Sequence, residues 1–498
     1  MTSMTGIAPS TETELKFSLD PADIAAFKAS ASLAKATVSA THLVATYFDT
    51  ADHALYRAGF SLRLRRAGDG ITQTLKGAST GTAGLFARPE TERLLDGEAV
   101  DETMLAAALP SDLYLVVSGR LAPGFTVTIE RTEWRVEDKG AVIAVSLDQG
   151  WIDAAGRREA VNEVEFELHQ GKIDAAFELA GSIVRRVPLH LETLAKSTRG
   201  YRLLGAEIST QEAEPALAAE IATGNAIRAL IGSLLAAIVI EREQVATRGD
   251  EAAVHRLRVQ LRRLLSLITM ARKTIAPKKL GRTARTIRRA FQLLGRVRDL
   301  DILTSGIPQN DEAAEAALVR IGAARSAALA RARRLLVSRK LAAAMLHLLG
   351  IAAGVVPSKA GDAIAAAPMT NEARRLLARR WRVVQRSQAP TQLAAHARHT
   401  LRIRTKTLRY ATDFFGALYT SDRSRKRLAK FDACMRQLQE RLGVLNDRRN
   451  MQRLARHHLG KATTAALGLD AAGTQSGENL AAADKAHAKL VRLKPYWH

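Results

Sequence analysis

A chain of 498 residues, 47% of them apolar, is too long for one hydrophobic core, so two to four domains are expected. Cys434 is its one cysteine, which excludes an intrachain disulfide and gives no sign of an oxidising compartment. The net charge of +24 is split unevenly: residues 1–205 carry 22 Lys+Arg and 27 Asp+Glu, hence −5, whereas residues 206–498 carry 52 and 23, hence +29.

The N-terminal stretch MTSMTGIAPSTETE has no basic segment and no apolar core, so it does not read as a secretory signal. From there to about residue 205 the pattern is extended. ATYFDT (45–50), SLRLRR (61–66), ITQTLKG (71–77), FTVTIERTEWRV (125–136), AVIAVSLDQG (141–150) and NEVEFELH (162–169) suit strands. Gly68-Asp69-Gly70 and Asp138-Lys139-Gly140 fall between runs, where hairpin turns belong. Helical patterns occur at PADIAAFKAS (21–30) and KIDAAFELAGSIV (172–184). The expectation is an α+β domain dominated by an antiparallel sheet.

Side chains alternate between the faces of a strand. In TETELKF (11–17), Glu12, Glu14 and Lys16 share a face opposite Leu15 and Phe17. Arg63 and Arg65 align in SLRLRR, and Thr72, Thr74 and Lys76 in ITQTLKG. Glu90 and Glu92 align in RPETER, Ser146 and Asp148 in AVSLDQG, and Glu163, Glu165 and Glu167 in NEVEFEL. A single charged strand face is ordinarily a solvated one. Here each strand tends to carry one sign, and like charges on one face repel unless something neutralises them. Closing the sheet into a barrel turns that face into a lumen. Its carboxylates would suit a hard divalent cation, and its bases would suit phosphate oxygens.

ExExK near the N-terminus, YFDT, LRLR, TLKG, the paired glutamates, a strand ending in Asp, EVEFE and KSTRG (196–200) occur in that order. This set resembles the CYTH domain, the triphosphate tunnel metalloenzyme fold, over residues 8–205. The resemblance implies an antiparallel β-barrel tunnel that cleaves triphosphates with Mg²⁺ or Mn²⁺. It implies metal ligation by Glu12, Glu14, Asp148, Glu163 and Glu165, with Glu167 as the alternative to Glu163. It implies phosphate contacts from Lys16, Arg63, Arg65, Lys76, Arg131, Lys196 and Arg199. Glu90 and Glu92 match the family's acidic pair, whose role is to position water or metal. Lys16 and Lys196 are expected to polarise the attacking water or the leaving group, so Lys16, Glu90, Glu92 and Lys196 are the catalytic candidates.

EISTQEAEPA (207–216) reads as a linker within 206–217, and beyond it the pattern is helical. The most apolar run, AIRALIGSLLAAIVI (226–240), is interrupted by Arg228 and is short for a bilayer span. Breaks are expected at 354–371 and, as a long loop, at GLDAAGTQSGEN (468–479). HRLRVQLRRLLSLI (255–268) parallels HTLRIRTKTLRYAT (399–412): His255 matches His399, Arg258 matches Arg402 and Arg262 matches Lys406. Offsets of 0, 3 and 7 lie on one helix face. LLGRVRDLDIL (293–303) parallels RLGVLNDRRNM (441–451), with Gly295 on Gly443 and Asp299 on Asp447. The first pieces are 144 residues apart and the second 148, which marks a duplicated helical unit.

So basic a half calls for a polyanionic partner: nucleic acid, an anionic membrane or polyphosphate. Aromatic residues are only 5% of the chain, and single-stranded nucleic acids are usually gripped by aromatic stacking, so weight moves to a ligand made of phosphate alone. The duplicated unit resembles the CHAD domain, an all-helical module, over about 218–496, with copies at 218–353 and 371–496. That resemblance implies inorganic polyphosphate binding by His255, Arg258, Arg262, Arg263, His399, Arg402, Lys406 and Arg409. Copy two has Thr407 where copy one has Arg263.

The expected architecture is an α+β antiparallel β-barrel tunnel domain followed by an all-α duplicated helical-bundle domain. The expected activity is metal-dependent hydrolysis of inorganic triphosphate, with Mg²⁺ or Mn²⁺ as cofactor and polyphosphate bound by the helical half. A non-catalytic polyphosphate scaffold, a class IV adenylyl cyclase and a nucleic-acid binder rank below it. No membrane partner is expected. A cytoplasmic location is expected, with polyphosphate granules as one place to find the protein.

Overall fold

The computed structural model describes residues 10–206, 215, 217–272, 274, 280–308, 312–356, 362–469 and 475–497. Most of the expected linker at 206–217 lies outside them. Two compact units are present. The first comprises 1–212 with 235–240 and 337–356, and the second comprises 213–234, 241–336 and 357–498. The first unit therefore also contains residues assigned to the helical half on sequence alone.

In the first unit, β1 (Ser10–Ser18), β2 (Thr37–Asp49), β3 (Ser61–Ala67), β4 (Gly70–Lys76), β5 (Leu85–Leu95), β6 (Ala122–Asp138), β7 (Ala141–Ala154) and β8 (Arg157–Gln170) form one antiparallel sheet. Its order is β5-β4-β3-β2-β6-β7-β8-β1, and pairing of β1 with β5 closes it into an eight-stranded barrel. A two-residue β9 (His190–Leu191) lies beside β1. At the β6–β7 turn both Lys139 (φ 49°) and Gly140 (φ 78°) are left-handed. A two-residue turn of that kind matches the twist of a hairpin.

The helices of this unit are α1 (Ile24–Lys28), α2 (Ala54–Arg57), α3 (Glu102–Ala108), α4 (Ser111–Val117), α5 (Ile173–Val184) and α6 (Lys196–Leu203). Helices α1 to α5 cover the outside of the barrel while α6 packs into its lumen, and this reverses the usual sense of a small barrel core. Leu15, Phe17 and Phe166 are fully buried on the outer face, with Phe17 edge-on to Phe166 at 5.5 Å, where α5 packs against β1 and β8. Each such side chain contributes roughly 1.5–3 kcal/mol. Leu62 and Leu75 are buried outside against Leu55, Met104 and Leu105. Inside, one end is apolar: Leu43, Ala45, Tyr47, Phe125, Val127 and Ile129 pack with Tyr201 of α6. The charged face occupies the rest.

The remaining helices are α7 (Thr223–Thr247), α8 (Glu251–Ala271), α9 (Leu280–Ser305), α10 (Glu312–Leu336), α11 (Arg339–Ala352), α12 (Asp362–Ala366), α13 (Met369–Gln385), α14 (Ala395–Phe415), α15 (Asp422–Leu459), α16 (Lys461–Ala466) and α17 (Gln475–Val491). Of these, α11 belongs to the first unit, where it packs on α5. The apolar run at 226–240 sits in the 25-residue α7, which is long and apolar enough to cross a bilayer, with 67% of its apolar window buried inside the protein. The expected loop at 468–479 is shorter than the sequence suggested, because Gln475 already begins α17. The expected break at 354–371 contains the one-turn α12. In the second unit α8 packs on α9, α14 on α15, α9 on α15 and α8 on α14. The two matched pieces of each copy thus lie on neighbouring helices.

Candidate functional site

The barrel encloses a cavity of about 260 Å³ lined by eight carboxylates and seven basic side chains. Register explains the gathering. On β1, Glu14 lies opposite Glu167 and Lys16 opposite Glu165 of β8, while Glu12 lies opposite Arg88 of β5. On β6 and β7, Arg131 lies opposite Asp148. These side chains project inward because residues alternate along each strand, and where helices cover the barrel the outward neighbours Leu15, Phe17 and Phe166 are buried.

Glu12 accepts hydrogen bonds from Lys76 at 2.6 and 2.8 Å and from Arg88 at 3.0 Å. Burial raises the Glu12 carboxyl, but Lys76 and Arg88 outweigh it and hold it at about 2. Glu14 accepts from Arg88 at 3.2 Å, yet burial, with Glu165 beside it, pushes its carboxyl up. Lys16 stands 2.7 Å from Glu165 and 3.4 Å from Glu163. Lys196 stands 2.7 Å from Asp148 and 2.8 Å from both Glu163 and Glu165. Burial alone would lower both ammonium groups; the carboxylates around them raise both instead. Both lysines are therefore charged at neutral pH, a state that donates hydrogen bonds and accepts none.

Arg131 donates two hydrogen bonds of 2.7 Å to Asp148 and one of 3.0 Å to Glu165. On the opposite wall Arg63 is 4.0 Å from Glu90, Lys76 is 3.0 Å from Glu90 and Arg65 is 3.5 Å from Glu92. Thr74 donates to Glu92 at 2.8 Å. The Nε of Arg63 is buried with no hydrogen-bond partner among the described residues, so this arginine keeps a donor for a ligand.

Two of the expected site residues do not line the cavity. Glu163 is held by Lys16, Lys196 and Arg199. Arg199 also binds Glu159 at 2.7 Å and the carbonyl of Ala160. Glu167 lines the cavity, and burial with Glu12 pushes its carboxyl up to about 7. Sequence reasoning did not single out Arg88, Tyr47, Glu133 or His169, all of which line the cavity. Alternation along RPETER would have found Arg88, because it shares a face with Glu90 and Glu92. The Asp of YFDT is structural. Asp49 accepts hydrogen bonds from the backbone of Leu55 at 2.9 Å and Tyr56 at 3.0 Å and from the Tyr201 hydroxyl at 2.8 Å.

Among the described residues, no three Asp, Glu, His or Cys side chains converge as the ligands of one ion. The donor types nonetheless fit a hard cation, since the inward acids are all carboxylates and Glu14 is pushed up partly by its like-charged neighbours Glu165 and Glu12.

In the second unit the matched bases of the two copies converge. Burial, and with it Arg262 of α8, lowers both Arg402 and Lys406 of α14. Burial, then Arg262 and Arg402, brings Lys406 down to about 7. Burial and Arg262 bring Arg258 down to about 10. Arg402 is 3.5 Å from Asp447, and Asn450 donates to Asp299 at 3.2 Å. Arg263 lies over the Phe414 ring at 5.4 Å, and Arg409 over Tyr410 at 5.6 Å. His255 and His399 are exposed. The Nε atoms of Arg402 and Arg409 are buried without a hydrogen-bond partner among the described residues. Such mutual repulsion is relieved by a bound polyanion.

Residues 10–201 match the CYTH domain model and residues 229–456 match the CHAD domain model. The chain is 32% identical over 163 residues to an inorganic triphosphatase of Haemophilus influenzae, a stretch that covers 32% of this chain and 46% of the relative. It thus spans about half the length of the curated relative it matches. Among solved structures, it is similar to the CHAD domain of the plant Ricinus communis (TM-score 0.47, 24% identity, 58% of this chain and 98% of that one). It is also similar to a Hippeastrum protein described as a candidate adenylyl cyclase with a dominant triphosphatase activity (TM-score 0.31, 16% identity, 40% of this chain and 98% of that one). The chain carries a CYTH domain followed by a CHAD domain.

Proposed function

We propose that the barrel hydrolyses inorganic triphosphate and that the helical unit binds inorganic polyphosphate. The observation that carries the first part is the closed lumen itself, with seven bases and eight carboxylates around about 260 Å³. That volume lies below the range of about 300–1,000 Å³ usual for drug-sized ligands, which favours a bare triphosphate over a nucleoside triphosphate. The inorganic triphosphatase among the relatives supports the same reading.

Because the acids already balance the bases, a triphosphate entering the lumen brings uncompensated negative charge. Glu12 and Glu14, with Asp148, Glu165 and Glu167 as the neighbouring oxygen donors, would hold a divalent cation, which would supply the missing positive charge and Lewis acidity. Arg63, Arg65, Lys76, Arg88 and Arg131 orient the phosphate chain, with Arg63 offering its spare donor. Water attacks the terminal phosphorus in line, the phosphoanhydride bond breaks, and orthophosphate and diphosphate leave. Lys16 and Lys196 serve as fixed positive charges for the departing oxygens, since protonated lysines cannot act as bases. Glu90 and Glu92 fix Lys76, Arg63 and Arg65. The mutually repelling bases on α8 and α14 support the polyphosphate reading. Phosphate release from triphosphate, ATP and long-chain polyphosphate by the full chain tests the first part. Triphosphate should be turned over fastest; preference for ATP, or formation of cyclic AMP, would contradict it.

A further inference from the structure

Arg258 and Arg402 occupy matched positions in the two copies, but they are not held alike. In copy one, the Arg258 guanidinium lies across α9. Its Nη1 donates to the carbonyl of Phe291 at 3.0 Å, and its Cζ lies 4.7 Å above the Phe291 ring. Arg262 shares the same ring at 5.2 Å. The backbone beneath is Gly295, and a Cβ there would meet Arg258 Nη1 at 2.6 Å. In copy two, a Cβ on Gly443 would meet Arg402 Nη2 at 3.8 Å, an ordinary contact. The position matching Phe291 is Gln439, which donates to the Thr405 carbonyl at 3.1 Å.

We infer that Gly295 is a positioning residue for polyphosphate binding: its missing side chain forms the seat that holds Arg258 over Phe291, and copy one is thereby the pre-organised half of the site. The inference rests on the polyphosphate reading given above. A glycine inside a helix is otherwise a cost, since alanine is the better helix former. Here the group in the way is the far end of a flexible arginine. An alanine therefore leaves the helix intact and displaces the guanidinium. A guanidinium fixed in advance loses less freedom when it grips a phosphate oxygen than one that must be ordered on binding.

The test uses the full chain and polyphosphate of defined length, with affinity measured by titration calorimetry at one fixed salt concentration. Gly295→Ala should weaken binding about tenfold, the scale of one charge-assisted contact, while the melting temperature stays level or rises. Gly443→Ala should change affinity by less than about threefold, given its ordinary contact. Gly295→Ala placed in an Arg258→Ala background should cause no further loss, which a general structural defect would not reproduce. Wild-type affinity for Gly295→Ala, or an equal loss in the Arg258→Ala background, overturns the inference. Its failure is separable from failure of the broader reading. If His255→Ala/Arg258→Ala/Arg262→Ala binds as wild type does, the polyphosphate reading falls and the inference with it; if that variant is weak and Gly295→Ala is not, the inference alone falls.

Discussion

The Nζ of Lys196 lies 2.7 Å from the carboxylate of Asp148, a contact that ties the first residue of α6 to β7 inside the barrel. Asp148 is only 1% exposed, and removing Lys196 takes one cation from it and from Glu163 and Glu165, although Arg131, Lys16 and Arg199 still face these carboxylates. Breaking a buried pair from one side costs roughly 3–5 kcal/mol when no other partner remains, so that range is an upper bound here. Lys196→Ala should therefore lower the melting temperature as well as abolish turnover. Lys196→Met combined with Asp148→Asn restores the charge balance but not the contacts to Glu163, Glu165 and Arg131, so it should recover part of the stability and none of the activity. Thermal denaturation and phosphate release on the same preparations check both halves.

Tyr47 lies against Arg63, and although burial raises its phenol, the guanidinium outweighs burial and brings it down. Tyr47→Phe removes one oriented contact to a charged group. A loss of about 1.5 kcal/mol is expected, so KM for triphosphate should rise roughly tenfold with kcat little changed. An unchanged KM would show that Arg63 is held without the phenol.

Polyphosphate binding should depend on pH through Lys406. Burial, Arg262 and Arg402 lower its ammonium to about 7, with Arg409 acting in the same direction and Asp447 against it. A polyanion favours the charged form, so binding takes up protons. Affinity should be greatest below about pH 7 and weaken as pH rises through it. Lys406→Arg, which keeps its charge, should flatten the profile. Calorimetry in buffers of different ionisation enthalpy reads the proton uptake directly.

Phosphate contacts should also make that binding strongly dependent on salt. The affinity of the helical unit for polyphosphate should fall steeply between low and physiological ionic strength. Arg258→Ala/Arg262→Ala should show a shallower slope. A slope shared by wild type and variant would count against these arginines as phosphate contacts.

Much of the lumen was legible because a barrel strand with two different surroundings must alternate. TETELKF and EVEFEL follow that rule without interruption, and SLRLRR follows it up to Arg66, which lies exposed at the strand's end. The β6 strand does not, and for a physical reason. Its inward face runs from Phe125, Val127 and Ile129 at the end packed with Tyr201 to Arg131 and Glu133 in the charged part, so one face changes character along its length. Arg199 and Glu163 were harder to place. Both are charged and lie in matched motifs, yet they pair with each other beneath the lining, and pattern alone does not tell a buried ion pair from a ligand contact. In the helical unit, the duplication exposed the basic face. The Gly295 seat leaves no mark in the sequence, because a glycine's purpose lies in what rests upon it.

The central claim is that the carboxylates of β1 hold the cation that triphosphate cleavage requires. The most direct measurement is phosphate release from triphosphate with Mg²⁺ or Mn²⁺, and after chelation, by wild type and Glu12→Ala/Glu14→Ala side by side. The account predicts activity in the wild type that is lost on chelation and reduced at least about 100-fold in the variant. Equal activity in the two proteins, or full activity after chelation, would contradict it.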